Sequence, residues 1–165
     1  MFLLDIFFDG FFAAVAGIGF GAISDPPIRA LPRIAVLAAT AHALRFVLVR
    51  SGMDFATSSF IAAFVAGAGS LVLARGIKVP MTVLYMPALL PMIPGIYAYK
   101  TVFALIMFLQ SLNTPEGGFA YMQEFFLNAT VSITVVVLMT VGAALPTFIF
   151  KKASHALTRH KTEIK

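Results

Sequence analysis

Cysteine and tryptophan are both missing from this chain of 165 residues, and charged residues are scarce. Without cysteine there is no disulfide, no thiolate metal ligand and no cysteine nucleophile. Only 12% of the residues are charged and 60% are hydrophobic, whereas about a quarter of a soluble domain is usually charged. A water-facing surface needs more polar cover than this composition supplies. We therefore expect lipid to be the solvent for most of the chain.

The pattern of apolar residues decides between helices and a barrel, the two structures that pair every backbone N–H and C=O inside a bilayer. A barrel strand alternates apolar and polar residues over about ten positions. This chain has continuous apolar runs instead, such as residues 55–74. We predict an all-α fold, a polytopic membrane helix bundle. The first run (MFLLDIFFDGFF) lacks a Lys/Arg-rich start, so we interpret it as a retained helix and not as a removed signal peptide.

Five regions are long enough to cross a bilayer, which takes about 20 apolar residues. They are residues 3–23, 31–49, 55–74, 79–112 and 124–150. The fourth region is too long for one simple crossing, and several prolines interrupt it. Proline removes a backbone donor and clashes with the preceding turn. We therefore predict a broken fourth helix, with a shorter piece before the break and a full helix from about Pro94 to Leu112.

The break in the fourth helix is also a candidate binding site. Unwound backbone at membrane depth persists only where protein buries it or water reaches it, and transporters place substrate sites at such interruptions. We assign Pro91, Pro94 and Gly95 to a candidate substrate site; the alternative is a proline kink without a ligand. Tyr99 follows the break and either lines a cavity or belongs to an interfacial aromatic belt. Lys100 is either buried in the membrane or extends to its surface.

The distribution of Lys and Arg predicts the orientation, because these residues favour cytoplasmic loops. Five crossings place Arg29, Arg33, Arg75, Lys78 and the basic segment 151–165 on one side, and the loop 113–123 on the other side has no Lys or Arg. We predict a bacterial inner (plasma) membrane protein with its N-terminus outside and its C-terminus in the cytoplasm. Residues 1–150 form the transmembrane domain, and residues 151–165 form a basic cytoplasmic tail that alternatively binds acidic membrane lipid or a partner.

An ionisable residue inside a membrane span needs a partner, a wet cavity or a function, and Asp9, His42 and Arg45 are three such residues in the first two spans. His42 and Arg45 are three residues apart and share a face of the second helix. Asp9 lies at a matching depth in the first helix, so an Asp9–Arg45 ion pair is one interpretation. The other is that Arg45 binds a substrate carboxylate through two hydrogen bonds. His42 or Asp9 would then carry a coupled proton, since histidine ordinarily titrates near neutral pH.

No combination of residues typical of an enzyme is present in the sequence. There is no Gly-rich phosphate loop, and no pair of carboxylates stands opposite a nucleophile. His155 and His160 have no neighbouring metal ligands in the sequence. We predict a protein that is not an enzyme, with no catalytic residue, no metal and no cofactor. Membrane topology explains the net charge of +5 without a nucleic-acid partner.

Four stretches resemble the threonine/serine exporter family: PIRAL at residues 27–31, HALR at 42–45, SGMD at 51–54 and LPMIPGIYAY at 90–99. The resemblance covers roughly residues 15–150. It is to the short, C-terminal-type component, which occurs either fused to a longer component or encoded separately. The positions that match the family motifs are Pro27, Arg29, His42, Arg45, Gly52, Pro91, Pro94, Gly95 and Tyr99.

The resemblance implies a secondary exporter of hydroxy amino acids that works with a larger membrane subunit and is driven by the proton gradient. Related proteins are linked to dicarboxylate export, so the implied substrate is threonine, serine or a dicarboxylate such as succinate. Two alternatives stay open. One is a structural subunit that stabilises a substrate-binding partner, and the other is a channel-like oligomer of this chain alone.

Overall fold

The computed structural model describes residues 2–112 and 115–150, and every regular element in those ranges is helical. The elements are α1 (Phe2–Ile23), a 3-10 turn (Ile28–Ala30), α2 (Leu31–Arg50), α3 (Phe55–Arg75), α4 (Thr82–Leu89), a second 3-10 turn (Leu90–Met92), α5 (Gly95–Gln110) and α6 (Pro115–Ile149). The all-α prediction is confirmed. The predicted basic tail, residues 151–165, lies outside the described residues.

Four helices in the described residues qualify as membrane spans by length and composition, and a bent pair of helices is a fifth candidate. The helices α1, α2, α3 and α6 are each long and apolar enough to span a membrane. The helices α4 and α5 meet the same criterion together, as a pair bent by 54° at a short break. The chain is therefore a multi-pass membrane protein, and the bent pair corresponds to the predicted broken fourth helix.

Charged side chains mark the two ends of the bundle. At the end where α1 begins and α2 ends, which we call the upper end, Asp5 lies 4.0 Å from Arg50 and Asp54 caps α3. The opposite, lower end includes Arg29 and Arg75. Helices α1 to α3 have 20 to 22 residues, or roughly 30 Å at 1.5 Å per residue. That length matches the hydrocarbon core of a typical bilayer, about 30 Å.

Small residues allow α1 to pack closely against α2. A Cβ atom on Gly17 would lie 2.8 Å from the Ala38 side chain, and one on Gly10 would lie 3.3 Å from the Ala39 carbonyl oxygen. Lipid tails are as apolar as leucine, so helices in a bilayer associate through such close contacts. A Cβ atom on Gly19, by contrast, would have no neighbouring atom within 4 Å. Gly17 and Gly19 are two residues apart and therefore lie on different faces of α1.

Helix α3 packs in parallel against the C-terminal half of α6, along a contact that we call the α3–α6 seam. A Cβ atom on Gly67 would clash with the backbone of Ala143, and one on Gly142 would lie 2.6 Å from the Phe60 carbonyl oxygen. Alanines such as Ala63 fill the rest of the seam and are fully buried. The two backbones are therefore too close at these positions for even a methyl group to fit between them.

The break between α4 and α5 follows from one proline in particular. Pro94 forces the residue before it out of the helical region, and Ile93 accordingly has φ −59° and ψ 130°. Pro91 lies in the 3-10 turn, near its first residue, where a missing N–H matters little. Pro87 remains inside α4. The predicted break is confirmed, and its position is residues 93–94.

Helix α6 begins at Pro115, about nine residues before the predicted start at residue 124, so the interpretation of residues 113–123 as a loop is wrong for most of that segment. Proline is favoured in the first turn of a helix, which makes Pro115 a good start. The polar residues Gln123 and Glu124 suggested a boundary, but both are exposed on the helix surface and interrupt nothing.

The early start of α6 produces a helical hairpin that extends past the upper end of the bundle. Phe55, the first residue of α3, contacts Tyr97 near the start of α5 with ring centroids 5.8 Å apart, and Val131 packs at the same level. Further up, Gly118 packs against Phe108 and Ser111. We call residues 95–110 and 115–127 the overhanging hairpin; it is roughly 20 Å long at 1.5 Å per residue.

Candidate functional site

Four groups form a continuous hydrogen-bonded relay just below the upper end. His42 Nδ1 lies 2.5 Å from Asp9 Oδ2, and Arg45 Nη2 lies 2.9 Å from His42 Nε2. Arg45 Nη1 donates to the Met92 carbonyl oxygen at 2.6 Å. The relay therefore joins α1, α2 and the 3-10 turn that ends at the break.

The chemistry of arginine determines the protonation of His42 in this arrangement. A guanidinium group has only donors, so Nε2 of His42 must accept with a lone pair. Nδ1 then carries the proton and donates a hydrogen bond to the Asp9 carboxylate. His42 is consequently a neutral imidazole held between a cation and an anion.

The relay borders a cavity of about 200 Å³. Its lining residues are Asp9, His42, Arg45, Phe46, Val49, Arg50 and Phe55. At ~30 Å³ for each water in the liquid, this volume corresponds to roughly six or seven waters. A small amino acid or a short dicarboxylate has a comparable size.

Aromatic rings hold the two arginines of the cavity in place. The guanidinium carbon of Arg45 lies 5.1 Å from the centre of the Phe55 ring, and that of Arg50 lies 5.3 Å from the Phe46 ring. These are cation–π distances. Arg50 is also 4.0 Å from Asp5, but its side chain is 60% exposed, so that ion pair contributes little to stability.

The local sequence explains why the relay residues meet. Gly10 lets α1 approach the Ala39 backbone, and the preceding residue, Asp9, thereby reaches His42 on the next turn of α2. The spacing of three residues places His42 and Arg45 on one face of α2. The break leaves the Met92 carbonyl oxygen without a helical partner, because the chain turns away at Ile93. Arg45 supplies the missing donor.

The depth argument from the sequence correctly placed Asp9, His42 and Arg45 together. The structure does not contain a direct Asp9–Arg45 ion pair between the described side chains, because His42 lies between the two residues. The side chains of His42 and Asp9 are 16% and 24% exposed. The imidazole of His42 therefore bridges the carboxylate and the guanidinium by hydrogen bonds.

The break residues occupy the edge of this site and not its wall. Pro91, Pro94 and Gly95 shape the turn whose carbonyl oxygen binds Arg45, but they do not line the 200 Å³ cavity. Tyr99 is 64% exposed and stacks on Phe103, on the overhanging hairpin. The structure thus brings the His42 and Arg45 predictions together with the break but leaves Tyr99 outside.

Sequence reasoning missed Arg50, Phe46 and Phe55 as parts of the site. Arg50 follows the second apolar run, where a charged residue is usually assigned to a loop. Only its match with Asp5 on the antiparallel helix α1 indicates that it belongs to the site. Asp5 and Asp9 are four residues apart on α1, and Arg50 and Arg45 are five apart on the antiparallel α2. This double spacing is a signal that the sequence contains.

A second, larger cavity of about 450 Å³ lies between α1, α4 and α6. Its walls are almost wholly apolar and include Phe20, Met86, Leu90 and Val136. Tyr85 and Thr140 are among its few polar residues, and Thr140 donates its hydroxyl to the Val136 carbonyl oxygen of its own helix. This cavity offers no charge to a substrate.

Three comparisons place the chain among known proteins. The protein-family model described as "Threonine/Serine exporter, ThrE" matches residues 9–149. A protein of Haemophilus influenzae described only as uncharacterized is 29% identical over 150 residues, which are 91% of this chain and 49% of that relative. The chain thus spans about half the length of the curated relative. No solved structure is significantly similar.

Proposed function

The chain belongs to the threonine/serine exporter family, and from this membership we propose that it is the small subunit of a two-component secondary exporter. The complex moves small carboxylate-bearing metabolites out of the cell, with protons as the coupled ion. Threonine, serine and dicarboxylates such as succinate are the candidate substrates. The observation that carries the proposal is the cavity at the upper end, where Arg45 lies beside a histidine and a helix break.

Arg45 is the residue proposed to bind the substrate carboxylate. A planar guanidinium holds a carboxylate through two parallel hydrogen bonds. In the present structure two of its nitrogens are used by His42 and by the Met92 carbonyl oxygen. A carboxylate is a stronger acceptor than either group, so it displaces one or both when it enters the cavity.

His42 is proposed to couple the proton, with Asp9 as its partner. A proton on Nε2 removes the lone pair that accepts from Arg45 and places a second cation beside the guanidinium. The Arg45–His42 hydrogen bond is then lost, while the imidazolium keeps its bond to Asp9. Proton binding therefore changes what Arg45 can contact and frees it from one of its two internal acceptors.

Exchange of protons for substrate needs the two to compete for one group. The α-ammonium of threonine or serine provides such competition, because an amino acid whose carboxylate is on Arg45 can place its ammonium on Asp9. His42 already donates to that carboxylate, and a proton on Nε2 turns this hydrogen bond into an ion pair that opposes the entry of the ammonium. A dicarboxylate lacks the ammonium, and its second carboxylate would go to Arg50, on the same cavity wall.

The orientation in the membrane is part of the proposal. The lower end has the excess of cations and the upper end has the site, so the positive-inside rule places the lower end in the cytoplasm. We therefore propose that the protein lies in the bacterial inner membrane, with its N-terminus outside and its C-terminus in the cytoplasm. The break residues Pro91, Pro94 and Gly95 would line the substrate path together with the larger subunit, and Tyr99 would contribute beyond the break.

The test is efflux from proteoliposomes under a proton gradient, with this chain alone, the larger subunit alone, and both together. Serine, threonine and succinate are the substrates. We expect efflux only with both subunits. Arg45→Gln in an assembled complex should lower efflux at least tenfold, because a hydrogen bond to a charged group contributes about 1.5–3 kcal/mol.

Two further variants sharpen this test. Arg75→Gln at the lower end is the matched control and should leave efflux unchanged. Arg50→Gln should reduce efflux of succinate much more than that of threonine if the dicarboxylate uses both arginines. Normal efflux by an assembled Arg45→Gln complex would show that the substrate role is wrong.

The alternative function, a structural subunit without substrate contacts, is supported by the relay itself. Each relay group already has a partner within the chain, as expected of a polar network that fixes helix packing. This function predicts that the larger subunit transports alone once it is stabilised, and that photoactivatable substrate labels only the larger subunit.

A further inference from the structure

The overhanging hairpin has the most apolar exposed surface that the structure describes above the upper end. Its side chains with roughly half or more of their surface exposed include Val102, Phe103, Ile106, Leu109, Phe119 and Phe126, with exposed fractions between 46% and 72%. Within α5 only Ala104 is buried, against α6. The two helices of the hairpin, α5 and α6, therefore pack against each other along a narrow contact, and the rest of their surface is exposed.

We place the hydrocarbon core between the charged residues of the two ends, and this placement leaves the surface of the hairpin outside the lipid tails. The charged residues Asp5, Arg50 and Asp54 are exposed at the upper end, and the span from there to the lower end already matches the hydrocarbon thickness. The hairpin rises roughly 20 Å beyond that level. A contiguous apolar surface outside the hydrocarbon core marks a protein contact.

We propose that the overhanging hairpin is the docking surface for the larger membrane subunit, an inference that rests on the two-component function proposed above. The relative of about twice this chain's length supports that occupant, because it joins a region like this chain to further polypeptide of similar length. The segment 151–165 is basic and polar in sequence, so it does not complement an apolar surface.

Two charges give the docking surface a chemical signature. Lys100 on α5 and Glu124 on α6 are both exposed, and neither side chain has a hydrogen-bond or ion-pair partner among the residues that the structure describes. A charge inside an apolar contact needs an opposite charge. The partner surface is therefore apolar and helical, with an acidic side chain opposite Lys100.

The absence of native cysteine makes a direct test possible. Single cysteines replace Phe103 or Phe119, and Val72→Cys is the matched control, a residue 68% exposed on α3 far from the hairpin. Each variant is labelled with a benzophenone maleimide in membranes that also contain the larger family subunit encoded in the same genome. Light then links the label to whatever lies beside it.

We expect an adduct with the larger subunit from positions 103 and 119, at a yield at least five times that from position 72. An adduct between two copies of this chain, or labelling of lipid alone, would overturn the proposal, as would equal yields from all three positions. Efflux measured on the same membranes separates the two proposals. Crosslinks without efflux would support the docking surface and contradict the exporter function. Efflux without crosslinks would support the exporter function and contradict the docking surface.

The charge signature is tested by co-purification of the two subunits. Lys100→Glu should reduce recovery of the larger subunit at least tenfold, and Lys100→Arg should retain it because the positive charge is kept. Arg75→Glu, at the lower end, is the charge-reversal control. Equal recovery with Lys100→Glu and Lys100→Arg would contradict the acidic partner group.

Discussion

Helices α3 and α5 are both apolar and are separated by fewer than twenty residues, yet they have opposite surroundings. Nine of the 21 residues of α3 are buried, whereas one of the 16 residues of α5 is buried. Their side chains explain the difference. The sequence of α3 is rich in Ala, Gly and Ser, which let a second backbone approach, while α5 has Ile, Tyr, Phe and Leu on nearly every face. In these two helices the small residues make contacts within the chain, whereas the large residues are left mostly exposed.

The sharpest way to break this contrast is to give α3 a large side chain in the α3–α6 seam. Gly67→Leu places atoms where the Ala143 backbone lies, and a backbone cannot move aside as a side chain can. We expect a loss of about 3 kcal/mol of stability, measured as thermal unfolding in detergent. Gly19→Leu is the control, because Gly19 has open space around it, and equal losses from the two variants would refute the importance of the seam.

Arg45 joins the two regions, since it bonds the carbonyl oxygen at which the bundle ends and the hairpin begins. Arg45→Leu leaves the Met92 carbonyl oxygen and His42 Nε2 without a donor. We expect a loss of about 2 kcal/mol and faster hydrogen exchange at residues 90–97 than in α3. Unchanged exchange there would mean that the guanidinium does not hold the break.

A large residue in α5 should separate the hairpin without unfolding the bundle. Ala104 is fully buried against α6, so Ala104→Leu overpacks that contact and costs about 1–2 kcal/mol. The expected result is increased maleimide labelling of a cysteine at position 108, with unchanged labelling of one at position 63 in the seam. Increased labelling at both positions would show that the two regions unfold as one unit.

The smallest effect concerns the start of α3. The Thr57 N–H donates to the Asp54 carboxylate at 2.7 Å and lowers the pKa of that carboxyl below its ordinary value of 3.8. A lowered folded-state pKa means that the stabilisation is present above the ordinary value and is lost as the pH falls through the folded-state value. Asp54→Asn keeps a cap but has no charge to lose.

This pH dependence is measured by comparing the melting temperatures of the wild type and Asp54→Asn in detergent. The difference should be small at neutral pH and should shrink further well below pH 3.8. A difference that grows on acidification would contradict the assignment of the hydrogen bond as the cause.

Much of the fold follows from the sequence, because hydropathy and proline act locally. The five spans depend on run length, and the break depends on the steric effect of Pro94 on Ile93. The overhang does not follow, because the position of α5 along the bundle depends on which residue of α6 lies beside Phe55. That pairing is a tertiary contact, which local sequence patterns do not predict. The early start of α6 at Pro115 was also missed, because the polar residues that follow it are typical of a loop.

The candidate site shows the same division. Charges at equal depth placed Asp9, His42 and Arg45 together correctly, since rise per residue is fixed in a helix. Their order along the relay depends on how α1 and α2 are rotated about their axes, which Gly10 and Ala39 determine. Arg50 was missed because its position at the last residue of α2 is also where a topology-setting charge belongs. Whether the relay binds substrate stays a prediction.

The bend at residues 93–94 has a mechanical consequence. The overhanging hairpin is roughly 20 Å long and begins beside the Met92 carbonyl oxygen that Arg45 binds, so a rotation of about ten degrees at this point would move its tip by roughly 3.5 Å. Hinges of this kind rest on a few residues at the end of an element. In the proposed mechanism, a proton on His42 removes one hydrogen bond of Arg45 beside the bend. A rotation of the hairpin in response would displace its tip far enough for a neighbouring chain to follow.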